Sequence, residues 1–279
     1  MMTACTGGKE NQLPGMACIR RVIVNGCLFV GIAVLLNACA AWPGKPTVIQ
    51  YDSDATRALI NRLTAMNSGL KAISGKGRVV VSEKGAQHVY NRTVWVGAEP
   101  GRLRFAFRSP AGMPVFSMSC DEQWVTALQH ADGKYYRRHI GDNSLSSFLP
   151  VEINCRDLYG LLVGRLPRVT YDKARTDASD NQAGDTIAIL LQRQFRGTVG
   201  RIRVSRATGE LRTVELMDIH GNRRYAAEVD HMQTVGGYRL PGHIALIGPD
   251  GSLELDVQEV RPRENTSADL FRIEPPVSN

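Results

Sequence analysis

Six cysteines and six histidines are the side chains of this 279-residue chain best suited to metal or nucleophilic chemistry. Their spacing leaves little of either. His88, His130, His139, His220, His231 and His243 are scattered, and none sits at the i,i+4 interval that sets two imidazoles on one helix face. There is no Cys-x-x-Cys, no Gly-x-Ser-x-Gly elbow, no P-loop and no dinucleotide-binding glycine fingerprint. Gly75-Lys76-Gly77 is too brief to cradle a phosphate and reads as a helix-to-strand turn. No metal and no cofactor is expected, and the chain does not read as an enzyme.

The thiol with a clear assignment is Cys39. Arg20-Arg21 form a positive start, and Val22 to Leu36 an apolar run of about 15 residues, too short to span a bilayer and suited to a secretory signal. Leu36-Asn37-Ala38-Cys39 then resembles the lipobox of bacterial lipoproteins. That resemblance implies a diacylglycerol thioether on Cys39 and cleavage just before it; the alternative is an uncleaved signal anchor. Met16 is a second candidate start, because Met16 to Ala38 alone makes a complete signal. Residues 1–38 are therefore expected to be signal, 39–51 a lipidated tether with Trp42, Pro43 and Pro46, and 52–279 one domain. Ala40 is not the aspartate associated with inner-membrane retention, which implies an outer-membrane protein facing the periplasm.

Removing residues 1–38 takes away Lys9, Arg20, Arg21 and Glu10, so the formal charge falls from +7 to +5. The charges alternate with apolar residues and form no dense basic stripe, which excludes nucleic acid as the expected partner. Cys5, Cys18 and Cys27 leave with the signal, and only Cys120 and Cys155 remain in the body. In an oxidising compartment the two either form a disulfide or stay apart as buried thiols.

The elements follow from periodicity. Asp52 or Ser53 can cap a helix whose apolar stripe is Ala55, Leu59, Leu63, Met66 and Leu70, with Asn61 and Asn67 on the polar side and Gly69 and Gly75 marking its end. The period then changes to two. Arg78–Val81, Thr93–Val96, Arg102–Arg108, Val115–Met118, Trp124–Leu128 and Lys134–Arg137 read as successive antiparallel strands. A break at 145–167 holds a second helix with Asn154 as cap, Leu158, Leu161 and Leu162 as its apolar side, and Gly164 and Pro167 as its stop. Residues 172–185 are polar and read as a loop. Strands resume at Ile187–Leu191, Gly200–Val204, Arg212–Leu216, Tyr225–Val229, Ile244–Ile247 and Leu253–Val257. The expectation is a mainly β (α+β) domain. It is an open, unclosed antiparallel barrel of about 11 strands with helices packed on or plugging the concave side.

Three segments in this order resemble the outer-membrane lipoprotein receptor LolB and its relatives: Ser109-Pro110-Ala111-Gly112-Met113, Pro150-Val151-Glu152-Ile153-Asn154 with Leu158 through Pro167, and Tyr238-Arg239-Leu240-Pro241. The terminal Leu270-Phe271-Arg272-Ile273-Glu274-Pro275-Pro276 is closer to the tail of the soluble relative LolA, so the chain resembles a divergent member. The resemblance implies an open barrel whose concave face holds acyl chains, non-covalent cargo transfer, and a periplasmic carrier as a partner. In LolB the first of these loops carries an exposed leucine; here Ala111 stands in its place with Met113 and Phe116 nearby, making these three the expected membrane-contact loop.

Alternation places Leu103, Phe105, Phe107, Phe116, Met118 and Trp124 as lining candidates for a hydrophobic cavity, or else as ordinary core. The face of Trp95 is left open. Arg102, Arg104, Arg201 and Arg203 should point outward, either into solvent or onto anionic headgroups. Two functions stay open: acceptor or carrier of lipidated cargo, and an envelope lipoprotein that uses its sheet as a protein-docking surface. A hydrolase of envelope lipids ranks last.

Overall fold

The computed structural model describes residues 54–121, 123–139, 145–177 and 184–276. The signal, Cys39, the tether and the Asp52/Ser53 cap lie outside them.

The chain opens with helix α1 (Asp54–Ala65). Its buried residues are Thr56, Ile60 and Leu63, with Leu59 and Met66 packed half-buried beside them. The expected stripe is therefore rotated: Ala55 is exposed, and Ile60 takes the inward position. Fifteen strands follow among the described residues. They are β1 (Ala72–Glu83), β2 (Ala86–Ala98), β3 (Arg102–Arg108), β4 (Pro114–Cys120), β5 (Trp124–Gln129) and β6 (Lys134–His139), then helix α2 (Cys155–Leu162) and β7 (Lys173–Thr176). After these come β8 (Thr186–Arg193), β9 (Gly197–Ser205), β10 (Leu211–Met217), β11 (Arg223–Asp230), β12 (Gln233–Val235), β13 (Tyr238–Leu240), β14 (His243–Ile247) and β15 (Gly251–Arg263). A 3-10 turn at Ala268–Phe271 leads into the tail.

Thirteen strands make one antiparallel sheet in the order β6-β5-β4-β3-β2-β1-β15-β14-β11-β10-β9-β8-β7, and β12 with β13 form a separate hairpin. The sheet is unclosed, with β6 and β7 at its edges. Lys134, Arg137 and Arg138 on β6 and the four-residue length of β7 suit edge positions, where charge and brevity discourage pairing with another chain. Two expectations are corrected here. Lys173–Thr176, taken as loop, is a strand, because its Ala174 is buried opposite Leu191. Gly75-Lys76-Gly77, taken as a turn, lies inside β1 at a register shift against both neighbours.

Gly75 is there because Trp95 of β2 lies over it, and Gly77 because the backbone of β15 comes close. A Cβ on Gly75 would come within 2.3 Å of the indole ring, and one on Gly77 within 2.1 Å of the Asp256 carbonyl oxygen. Trp95 is thereby fixed on the concave face, 2 % exposed and stacked on Phe105 with centroids 6.3 Å apart. From there the core runs across β3, β4, β15, β14 and β11 beneath α2.

Candidate functional site

The site is the hollow of the curled sheet and the helix that fills it. Helix α2 is only eight residues long, and its ends are built carefully. Asn154 at the N-cap accepts from Asp157 N at 2.7 Å, satisfying one orphan backbone donor, while its own amide donates to Asp157 Oδ2 at 2.8 Å and holds the two side chains together. At the other end Gly164 takes a φ of +72°. There Gly164 N bonds Leu161 O at 2.9 Å and Arg165 N bonds Gly160 O at 2.7 Å, the paired pattern of a glycine-terminated helix. Seven of its eight residues are buried, so the helix is nearly surrounded by protein.

Two links fix α2 to the sheet. A disulfide joins Cys120, the last residue of β4, to Cys155, the first of α2, with Cα atoms 6.3 Å apart. At the other end Arg165 donates to Met66 O at 2.7 Å and Asn67 O at 2.6 Å and pairs with Glu99. Asn67, expected on the polar face of the first helix, instead has φ +53° and donates to Val163 O and Arg239 O.

Beneath α2 lies a small apolar cavity. Val79, Phe105, Phe107 and Met118 form one wall, Ile244, Leu246, Leu253 and Leu255 the other, and Leu149, Leu158 and Leu162 the roof. It leaves about 20 Å³ for the centre of a water-sized sphere, room for a single water. The hollow is thus occupied by the protein's own leucines.

Three of the six expected lining residues, Phe105, Phe107 and Met118, come together here. Leu103 is fully buried on the same face but belongs to the packing with Tyr159. Phe116 is half-buried and tilted against Phe107, 5.7 Å between centroids. Trp124 is a correction: it alternates with buried Val125 and Ala127, so it faces the convex side, where Arg137 lies 4.3 Å from its ring centroid. The leucines of the 145–162 segment and of β14–β15 were missed as lining because alternation marks them as core without saying which wall they join.

The loop Ser109–Met113 connects β3 and β4, held by Ser109 N to Met113 O and Gly112 N to Ser109 O, both 2.8 Å. Ala111 is exposed and Met113 is 69 % exposed, whereas Phe116 points back to Phe107.

The four strand arginines are on the convex side and are already engaged. Arg102 covers the Phe271 ring at 5.0 Å, and Arg104 donates to Leu270 O and Arg272 O. Arg201 pairs with Asp177 and Arg203 with Glu215, each at 3.8 Å. The tail strapped down by the first two packs Phe271 on Ala72 and Ala98 and receives a hydrogen bond from Ser119 Oγ.

Electrostatically the hollow is quiet. Burial, with Glu99 nearby, pushes the Tyr159 hydroxyl up to about 12, so it stays neutral. Burial also raises Asp157 above the ordinary carboxylate range, against the hydrogen bonds that favour its ionised form. Among the described residues no group of three or more His, Cys, Asp or Glu could hold a metal ion, and no helix is long and apolar enough to cross a membrane.

No protein-family model matches the chain, and no curated protein matches it by sequence. Solved structures do match by shape. A LolA superfamily protein from Nitrosomonas europaea superposes with a TM-score of 0.51 at 11% identity, covering 78% of this chain and 97% of the other. An outer membrane lipoprotein-sorting protein domain from Vibrio parahaemolyticus gives 0.53 at 10%, covering 78% and 96%. A DUF1329 family protein from Desulfovibrio piger gives 0.54 at 10%, covering 79% and 98%. The chain therefore has the fold seen in the LolA superfamily and in lipoprotein-sorting domains.

Proposed function

We propose that this protein is an outer-membrane lipoprotein, anchored through Cys39 and facing the periplasm, that binds acyl chains as a LolB-like acceptor or carrier. The observation that carries this reading is the hollow, whose lining is wholly apolar and whose roof is Leu149 together with one short helix pinned at its two ends. An acyl chain enters by taking the place of Leu149, Leu158 and Leu162. Each methylene moved out of water is worth about 0.8 kcal/mol, so a long chain offsets the exposure of three leucines. Transfer in and out needs no covalent step. On this reading Ala111 and Met113 form the loop that approaches the bilayer, and a periplasmic carrier delivers the cargo.

The near-full hollow favours a second reading, in which α2 never leaves and the sheet is a docking surface for an envelope protein. Organic extraction of the protein purified from envelopes, followed by mass spectrometry, separates the two. Stoichiometric acyl species support the carrier. A lipid-free protein that also fails to take up a fluorescent fatty acid supports the docking surface. Palmitate labelling of Cys39→Ser checks the anchor: label must disappear.

A further inference from the structure

The hairpin tips at one end of the sheet carry apolar side chains for which the core has no use. Every strand runs antiparallel to its neighbours, so the β8–β9 and β10–β11 turns leave the sheet at the same end as the β3–β4 loop, but on the opposite half. At the tip of β8–β9, Phe195 is 98 % exposed and has a φ of +64°. That conformation suits glycine or asparagine, and a bulky ring there gains no burial in return. Ile219, at the tip of β10–β11, is 66 % exposed. Its loop is organised by Asp218, whose Oδ1 accepts from His220 N and Asn222 N at 2.8 Å each.

The two tips are level. Gly200 of β9 faces Leu216 of β10, and Gly197 and Ile219 each lie three residues beyond that pair towards the same end. Two strand spacings, about 10 Å, separate the hairpins. Arg193, Arg196 and Arg223 surround them, all exposed and none with a carboxylate partner among the described residues. Two acidic groups of the adjoining segments are turned onto backbone: Asp172 accepts from Gln194 N at 2.6 Å, and Asp218 is engaged as above.

We infer that the β8–β9 hairpin, with Phe195 at its tip, is a membrane-contact finger for bilayers that contain anionic phospholipid. A protein pocket is best matched by a continuous apolar patch. Here single apolar side chains stand on separate tips with free guanidinium groups on the tip itself and on the flanking strands, which fits the interfacial zone of a bilayer. There a ring sits among headgroups while arginines meet phosphates. This surface is separate from the hollow and does not depend on acyl binding.

The test uses the full chain carrying Phe195→Trp, with wild type subtracted to remove Trp42, Trp95 and Trp124. On phosphatidylglycerol-containing vesicles bearing spin-labelled acyl chains, the added emission should shift to the blue. It should also be quenched at least about threefold more than on pure phosphatidylcholine vesicles. Arg193→Glu with Arg196→Glu in the same background should abolish that difference. Emission that stays water-like on both vesicles overturns the proposal, whether the tip is then idle or meets a protein. Equal quenching on both overturns the anionic-lipid assignment. Phe195 has no packing role, so loss of fold is not expected to cloud the result.

Discussion

Asn67 and Arg165 each hold the end of the other's helix: Arg165 Nη2 donates to the Asn67 carbonyl at 2.6 Å, and Asn67 Nδ2 donates to the Val163 carbonyl at 2.8 Å. The pair welds the C-termini of α1 and α2 together, and Glu99 of the β2–β3 turn closes the contact by pairing with Arg165. A roof helix that must move for cargo to enter has to break this clasp. Arg165→Met keeps the apolar stem and removes the donors, leaving two carbonyls and Glu99 without their partner. The expected cost is about 2 kcal/mol in a urea titration. Uptake of a fluorescent fatty acid should be faster in the variant than in wild type; slower or unchanged uptake would count against α2 as the gate.

The second fastener is covalent. Cys120–Cys155 closes a separation of 35 residues, and removing it frees the unfolded chain by about 3–4 kcal/mol on the chain-entropy account. The double variant Cys120→Ala/Cys155→Ala should lose stability by that order. It should also raise hydrogen exchange in α2 well above that in β14 and β15. Uniform exchange across all three would show that the disulfide stabilises the whole domain without restraining the roof in particular.

Gly75 and Trp95 illustrate a contact between two residues twenty positions apart. Gly75→Ala forces a methyl to within 2.3 Å of the indole, an overpacking expected to cost about 1–3 kcal/mol. Trp95→Leu alone leaves a void, yet in the double variant it should relieve the alanine. The cycle should therefore show a favourable coupling of at least about 1 kcal/mol. Strictly additive effects would mean that Gly75 answers to the Glu259 carbonyl, also 2.9 Å from the added Cβ, and not to the ring.

That same pair marks where sequence legibility ends. Glycine punctuation between a helical period and a strand period reads as a turn, and nothing local reveals a tryptophan ring overhead. Period-two alternation located the strands well, and the Asn154 cap and Gly164 stop located α2, because each signal is local and physical. The size of Trp124 suggests an inward ring, whereas buried Val125 and Ala127 set the phase of the strand and turn it outward. β7 escaped notice because four polar-flanked residues carry too short a pattern, and only Leu191 opposite makes Ala174 a core residue. The hollow's walls were legible, whereas its fullness was not: that depends on how far three leucines reach across a curve no period encodes.

Asp157 gives the clearest pH signature. Burial raises its folded pKa above the ordinary 3.8, even though Arg168 N and the Asn154 amide hydrogen-bond to it. A carboxyl whose folded value exceeds its unfolded one favours folding when protonated. Its contribution is therefore most favourable below the unfolded value and is lost as pH rises through the raised folded value. Asp157→Asn removes the charge while keeping an acceptor near Arg168 N, at a fixed cost from the altered cap. Compared by urea midpoint from about pH 3 to about pH 7, the variant should gain on wild type as pH rises and then hold a constant lead or deficit. A difference that stays flat across the range would place Asp157 in a well-solvated site. The polar cleft formed by Pro100, Gly101, Asp121 and Arg168 at the start of α2 would then be open to water deeply enough to hydrate the carboxylate.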